Sequence, residues 1–145
     1  MSNKSLRILE AATKVFARKG FYNATIADVA KNAEVAEGTI YLYYKNKDDL
    51  LISLFEHHLE AINRGLRTEL AQHQEARARL EHCIRYHLRL ARDNPTLTQF
   101  ITIEIRRSAK FMKEYAKGQL YDYLEQFAQA VEQGADHRTE LRPGQ

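Results

Sequence analysis

Cysteine is almost absent from this 145-residue chain. Cys83 stands alone, which excludes an internal disulfide framework and any multi-thiolate metal site. Tryptophan is missing, and there are only two prolines and six glycines, so chain breakers are scarce. No run approaches the ~18 uninterrupted apolar residues that a membrane-spanning helix needs. The amino end, Met1-Ser2-Asn3-Lys4-Ser5, leads straight into an amphipathic pattern with no secretory core, so a cytoplasmic location is expected. Neither charge sign dominates, with 22 Lys and Arg against 19 Asp and Glu. Catalytic patterns are missing too: there is no Ser/His/Asp order, no Gly-rich phosphate loop and no carboxylate pair, so no enzyme and no cofactor are expected. His57 and His58 are adjacent and diverge by ~100° on a helix, while His82 and His87 are five apart and do not share a face, so no metal site is expected.

What is present is apolar enough to fold, at 44% hydrophobic residues. A length near 150 fits one domain, which buries roughly two thirds of its unfolded surface. The charge is unevenly placed. Residues 1–47 hold eight basic groups (Lys4, Arg7, Lys14, Arg18, Lys19, Lys31, Lys45, Lys47) and four acidic ones (Glu10, Asp28, Glu34, Glu37), a net +4. The rest holds 14 basic and 15 acidic groups, a net −1. A basic head on a near-neutral body fits a head that meets a polyanion, and also fits a solvated surface.

Helical periodicity runs throughout, and no segment alternates like a strand. Residues 5–19 place Leu6, Leu9, Ala12, Val15 and Phe16 on one face, and Gly20 after Arg18-Lys19 reads as a stop. Thr25 is the expected cap of a helix over 26–33, with Asp28 completing a capping box. Glu34-Val35-Ala36 is a tight break before a third helix from Glu37 to Tyr43. Asn46 caps a fourth, from Lys47 to about Leu70, with a stripe through Leu50, Leu54, Leu59, Ile62, Leu66 and Leu70. Residues 76–92 give another helix with Leu80, Cys83, Ile84, His87 and Leu88 inward. Thr96–Arg107 and about Lys110–Gln133 supply two more, and Gly134 reads as a stop before a polar tail, 135–145. The expected fold is all-α: a three-helix helix-turn-helix head (1–47) and an antiparallel helical regulatory body (48–134).

Three short helices with tight turns in the basic part fit a helix-turn-helix, whose third helix lies in the major groove. Ile40, Tyr43 and Tyr44 share a face that packs. Glu37, Gly38, Tyr41 and Leu42 share another, free to enter a groove. Gly38-Thr39 offers backbone N–H groups to phosphate, and Lys45 and Lys47 flank it. Glu37 either accepts from a cytosine amino group or remains solvated, and Leu42 offers only apolar contact.

The runs Ile8-Leu9-Glu10-Ala11-Ala12, Phe16-Ala17-Arg18-Lys19-Gly20-Phe21, Thr25-Ile26-Ala27-Asp28-Val29-Ala30 and Ala33 to Leu51 together resemble the opening of TetR-family transcriptional repressors. The resemblance implies a homodimer on a palindromic DNA operator, released by a small molecule in the carboxyl-terminal body. It implies that Thr25 contacts phosphate, that Glu37, Gly38 and Leu42 meet base edges, that Thr39, Tyr41 and Tyr43 touch phosphates or bases, and that Lys47 binds phosphate. Tyr44 matches a packing aromatic. The wording of Gly38–Lys47 and of Phe100–Ser108 is similar to the branch controlling fatty-acid degradation, which implies a long-chain acyl-CoA effector. Leu59, Ile62, Ile84, Leu88, Phe100, Glu104, Arg106, Tyr123 and Phe127 are then the candidate effector-binding residues, although the same stripes also fit ordinary core.

Family members usually dimerise through two further carboxyl-terminal helices, before which this chain is expected to stop. It is then either a truncated product or one that dimerises through its last two helices (Phe111, Tyr115, Tyr121, Tyr123, Phe127). The alternative is a TetR-like chain acting as an interaction module or small-molecule carrier without operator binding.

Overall fold

Every element in the computed structural model is helical, and among the described residues, 2–107 and 118–140, there is no strand. Side-chain positions are described for 2–104 and 118–134. The elements are α1 (Asn3–Lys19), α2 (Ile26–Ala33), α3 (Glu37–Tyr41), α4 (Lys47–Ala71), α5 (Ala76–Asp93), α6 (Pro95–Arg107) and α7 (Gln119–Glu140). The described residues form two compact units, one of residues 2–57 with 96–107 and the other of 58–95 with 118–140, and the division falls within α4.

The first unit is built around α1. Ser2 caps it by accepting from the Ser5 amide at 3.1 Å, and Gly20 ends it at φ 77°, a backbone conformation that favours glycine. Ile8, Ala12, Val15 and Phe16 are fully buried, and α1 packs on α2, which packs on α3. Phe16 packs on Phe21 edge-on and on Phe100 of α6, which stacks in turn on Phe55 at 5.8 Å between centroids.

In the second unit α5 packs on α7. Leu66 and Leu70 of α4 and Cys83 of α5 form its core, with Tyr86 and Tyr123 against them. Asn63 is fully buried. Its amide donates to both the backbone and side-chain carbonyls of Gln119 at 2.8 Å and accepts from Gln126 at 3.2 Å, which satisfies a polar group that would otherwise be costly to bury.

Three expectations are corrected. Ile84 and Leu88 do not face inward: they are 48% and 65% exposed, because α5 turns its Cys83–His87 edge to α7 and leaves the neighbouring edge out. Gly134 is not a stop. The helix continues to Glu140, and Leu80 of α5 lies 3.2 Å from where a β-carbon on Gly134 would stand. The third helix is shorter than expected and ends at Tyr41. Phe111 and Tyr115 lie outside the described residues.

Candidate nucleic-acid interface

The candidate surface is assembled from the starts of α2 and α4 and from the segment 36–45. Thr25 closes the expected capping box: its hydroxyl oxygen accepts from the Asp28 amide at 3.1 Å, while the Asp28 carboxylate accepts from the Thr25 amide at 3.0 Å. Lys19 meets the same carboxylate at 3.0 Å. Lys19 and the Thr25 bonds hold the Asp28 carboxyl below the usual Asp range. The Thr25 hydroxyl proton stays free to donate outward, from an exposed position at the positive end of a helix.

The turn between α2 and α3 bends at Glu34, which adopts a left-handed conformation at φ 57°. Its amide and that of Val35 return to the Lys31 and Ala30 carbonyls at 3.3 and 3.0 Å, the C-terminal closure usually given to glycine. Arg7 of α1 donates to the Ala33 carbonyl at 2.7 Å, meeting the negative end of α2 with a cation.

After Tyr41 the chain tightens. The amides of Leu42 and Tyr43 reach back three residues, to Thr39 and Ile40, at 3.2 and 3.0 Å. This tightening divides the aromatics. Tyr44 is buried and donates to the Ser5 carbonyl at 3.1 Å, so Ser5 donates its hydroxyl to the phenol at 2.8 Å. Burial pushes the Tyr44 phenol up. Tyr43 does not join the packing face. It is 41% exposed, beside Tyr41 at 53% and Leu42 at 81%. Glu37 and Gly38 are exposed on the same segment, Thr39 is half-buried, and Ile40 alone anchors the helix in the core. Tyr41, Leu42 and Tyr43 thus form an exposed ridge of large apolar side chains.

Lys47, expected to bind phosphate, is engaged within the fold. Its ammonium donates to the carbonyls of Phe21, Ala24 and Tyr22 at 2.7, 3.0 and 3.4 Å and lies 4.4 Å from the Phe21 ring centroid. Lys47 therefore straps the connector carrying Thr25 to the start of α4. That start is capped as expected, with the Asp49 amide on Asn46 Oδ1 at 2.8 Å and the Asp49 carboxylate accepting from the Lys45 amide at 2.9 Å.

The candidate effector residues divide between the two units. Phe100 and Glu104 are buried in the first, where they join Phe16 and Ile103 around a cavity of about 220 Å³. The side chain of Arg106 lies outside the described residues. In the second unit Leu59 is buried, Ile62 half-buried, and Phe127 is 40% exposed beside the half-buried Tyr123. His87 Nδ1 lies 2.7 Å from the Cys83 carbonyl and 3.9 Å from the Cys83 thiol; donation to the carbonyl, the shorter contact, leaves Nε2 to accept from the Tyr123 hydroxyl. Burial, as the main cause, raises the Tyr123 phenol and keeps it a donor. A larger recess in this unit, about 470 Å³, is lined by Gln74, Glu75, Ala76, Arg79 and Gln133. Sequence reasoning missed Asn63, although it falls on the buried stripe Leu59, Asn63, Leu66, Leu70. It also missed Tyr22, exposed beside the Thr25 cap.

Residues 8–54 match the model of the bacterial regulatory proteins of the tetR family. The chain is 32% identical over 121 residues to the fatty acid metabolism regulator protein of Bacillus subtilis, which covers 83% of this chain and 62% of that relative. Among solved structures, FadR from Bacillus subtilis in complex with stearoyl-CoA superposes with a TM-score of 0.82 at 29% identity, covering 97% of this chain and 75% of that one. The fatty acid degradation regulator FadR from Bacillus halodurans gives 0.81 at 28%, covering 94% and 70%. The chain thus spans about three fifths of the length of the curated relative.

Proposed function

From the match of residues 8–54 to the model of the bacterial regulatory proteins of the tetR family, we propose that the protein is a member of that family and a transcriptional repressor: a homodimer on a two-fold symmetric DNA operator, released by a long-chain acyl-CoA. The observation that carries the reading is the exposed ridge Tyr41, Leu42 and Tyr43 beside the capped start of α2, within the basic part of the chain. Leu42 and Gly38 enter the major groove, where an apolar side chain suits a thymine methyl and a glycine permits close approach. Glu37 accepts from a cytosine amino group, the one base-edge donor that suits a carboxylate. Tyr41, Tyr43, Thr39 and the Thr25 hydroxyl donate to phosphates on either side. Lys47 serves the same contact indirectly, by holding Thr25 in place.

A five-residue recognition helix reaches few base pairs. Two copies on half-sites about 34–36 Å apart supply the affinity that one lacks. Support for the effector comes from the stearoyl-CoA bound to the Bacillus subtilis FadR.

Selection from a random-sequence duplex pool tests the DNA reading. A palindrome with half-sites about one helical turn apart is expected, and a pool with no enriched sequence refutes it. For the effector, a chain-length series of acyl-CoAs at ~100 times Kd should add about 2.7 kcal/mol of stability. No shift with any member removes acyl-CoA from the proposal.

A further inference from the structure

Behind the start of α2 the first unit carries a second recess, about 320 Å³, lined by Arg18, Lys19, Asp28, Lys31 and Asn32. It is cationic on balance, since three basic groups face one carboxylate. That carboxylate is already engaged by Lys19 at 3.0 Å and by the Thr25 amide at 3.0 Å. Arg18 and Lys31 are exposed and have no ion-pair partner among the described residues. Asn32 adds a side-chain amide donor. None of these residues packs the core, and none belongs to the recognition ridge.

Position gives the recess its chemistry. The Asp28 carboxylate is shared by the recess and the Thr25 cap, so the recess continues directly from the point proposed to touch a phosphate. From Thr25 to Lys31 is six residues, about 9 Å along a helix axis. That length is enough to span two neighbouring phosphates of one DNA strand.

We propose that this recess is a second phosphate site, which holds the DNA backbone flanking the base-reading ridge through Arg18 and Lys31, with Lys19 and Asn32 lining it. The proposal rests on the duplex-binding reading above and extends it to residues outside the recognition helix. Lys19 also orients the recess by fixing Asp28, and through Asp28 the Thr25 cap. The site contacts phosphates only, so it contributes affinity without sequence preference.

The test is the salt dependence of binding to an arbitrary-sequence duplex of about 30 base pairs, where the log–log slope counts neutralised phosphates at about 0.9 per contact. The double variant Arg18→Ala/Lys31→Ala is compared with the wild type and with Arg77→Ala/Arg92→Ala, which removes equal charge from the second unit. Lys19 is left intact because it supports Asp28, and thermal melting confirms that each variant is folded. The head variant should flatten the slope by about 2 while the control leaves it within about 0.5 of the wild type. Equal slopes for the two variants overturn the second site while leaving duplex binding standing. A wild-type chain that binds no duplex in dilute salt overturns both.

Discussion

Replacing Lys47 with Met tests how the head is held together. Methionine keeps an unbranched apolar stem against the Phe21 ring and removes only the ammonium. The two short bonds, to Phe21 and Ala24 at 2.7 and 3.0 Å, are charge-assisted and worth ~1.5 kcal/mol each. The 3.4 Å bond to Tyr22 adds little, and the ring contact adds ~0.5 kcal/mol at a half-exposed site. Against this stands the ordering of a flexible lysine, ~1.5–2 kcal/mol. The net loss on substitution is therefore about 2 kcal/mol, a factor of about 30 in the folding equilibrium. Urea denaturation reads this as a lower midpoint with an unchanged slope. Duplex binding supplies the second readout. A strap that positions Thr25 lowers affinity uniformly and leaves the salt slope unchanged, whereas a direct phosphate contact flattens the slope by about 1. A variant as stable as the wild type, or one whose salt slope falls by a full unit, refutes the strap.

Glu34→Gly should stabilise the first unit by about 1 kcal/mol, because a left-handed glycine carries no β-carbon penalty; an unchanged or lower melting temperature contradicts this. Gly65→Ala should destabilise the second unit despite alanine's better helix propensity, because the new methyl would collide with the Tyr86 hydroxyl, which donates to the Ile62 carbonyl at 2.9 Å. A Gly65→Ala chain that melts above the wild type refutes that packing. Asp28 has a lowered pKa in the folded chain, caused first by its bond to Lys19, so its stabilising contribution is full above the ordinary Asp range of about 3.9 and is lost as pH falls through its lower folded value. Asp28→Asn should therefore weaken the acid sensitivity of urea unfolding, and identical pH profiles for variant and wild type count against the bond.

The parts that the sequence made legible are local ones. Thr25 with Asp28, and Asn46 with Asp49, are capping pairs three residues apart, and both form as their spacing requires. The parts that it hid depend on distant partners. The carbonyls that hold Lys47 lie 23 to 26 residues away, and nothing in the motif around Lys47 announces them. On α5 the residues Leu80, Cys83, Ile84, His87 and Leu88 satisfy two overlapping stripes, and only the packing of α7 selects the Cys83–His87 edge. Gly134 looks like a helix terminus by composition, but it marks the close approach of Leu80 instead. Asn63 sits in register with buried leucines, and its polarity concealed the register. The ridge was visible because Tyr41 and Leu42 lie off the Ile40 face at helical spacing. Tyr43 was placed on the packing face by the same spacing, and the tightened turn after Tyr41 moves it out.

The most direct measurement is the map of backbone amide shifts when a selected duplex is added to the labelled protein. Shifts should concentrate at Thr25 and across Glu37–Tyr43, with a weaker cluster at Arg18, Lys31 and Asn32. A duplex that binds while leaving 37–43 unperturbed would contradict the account at its root.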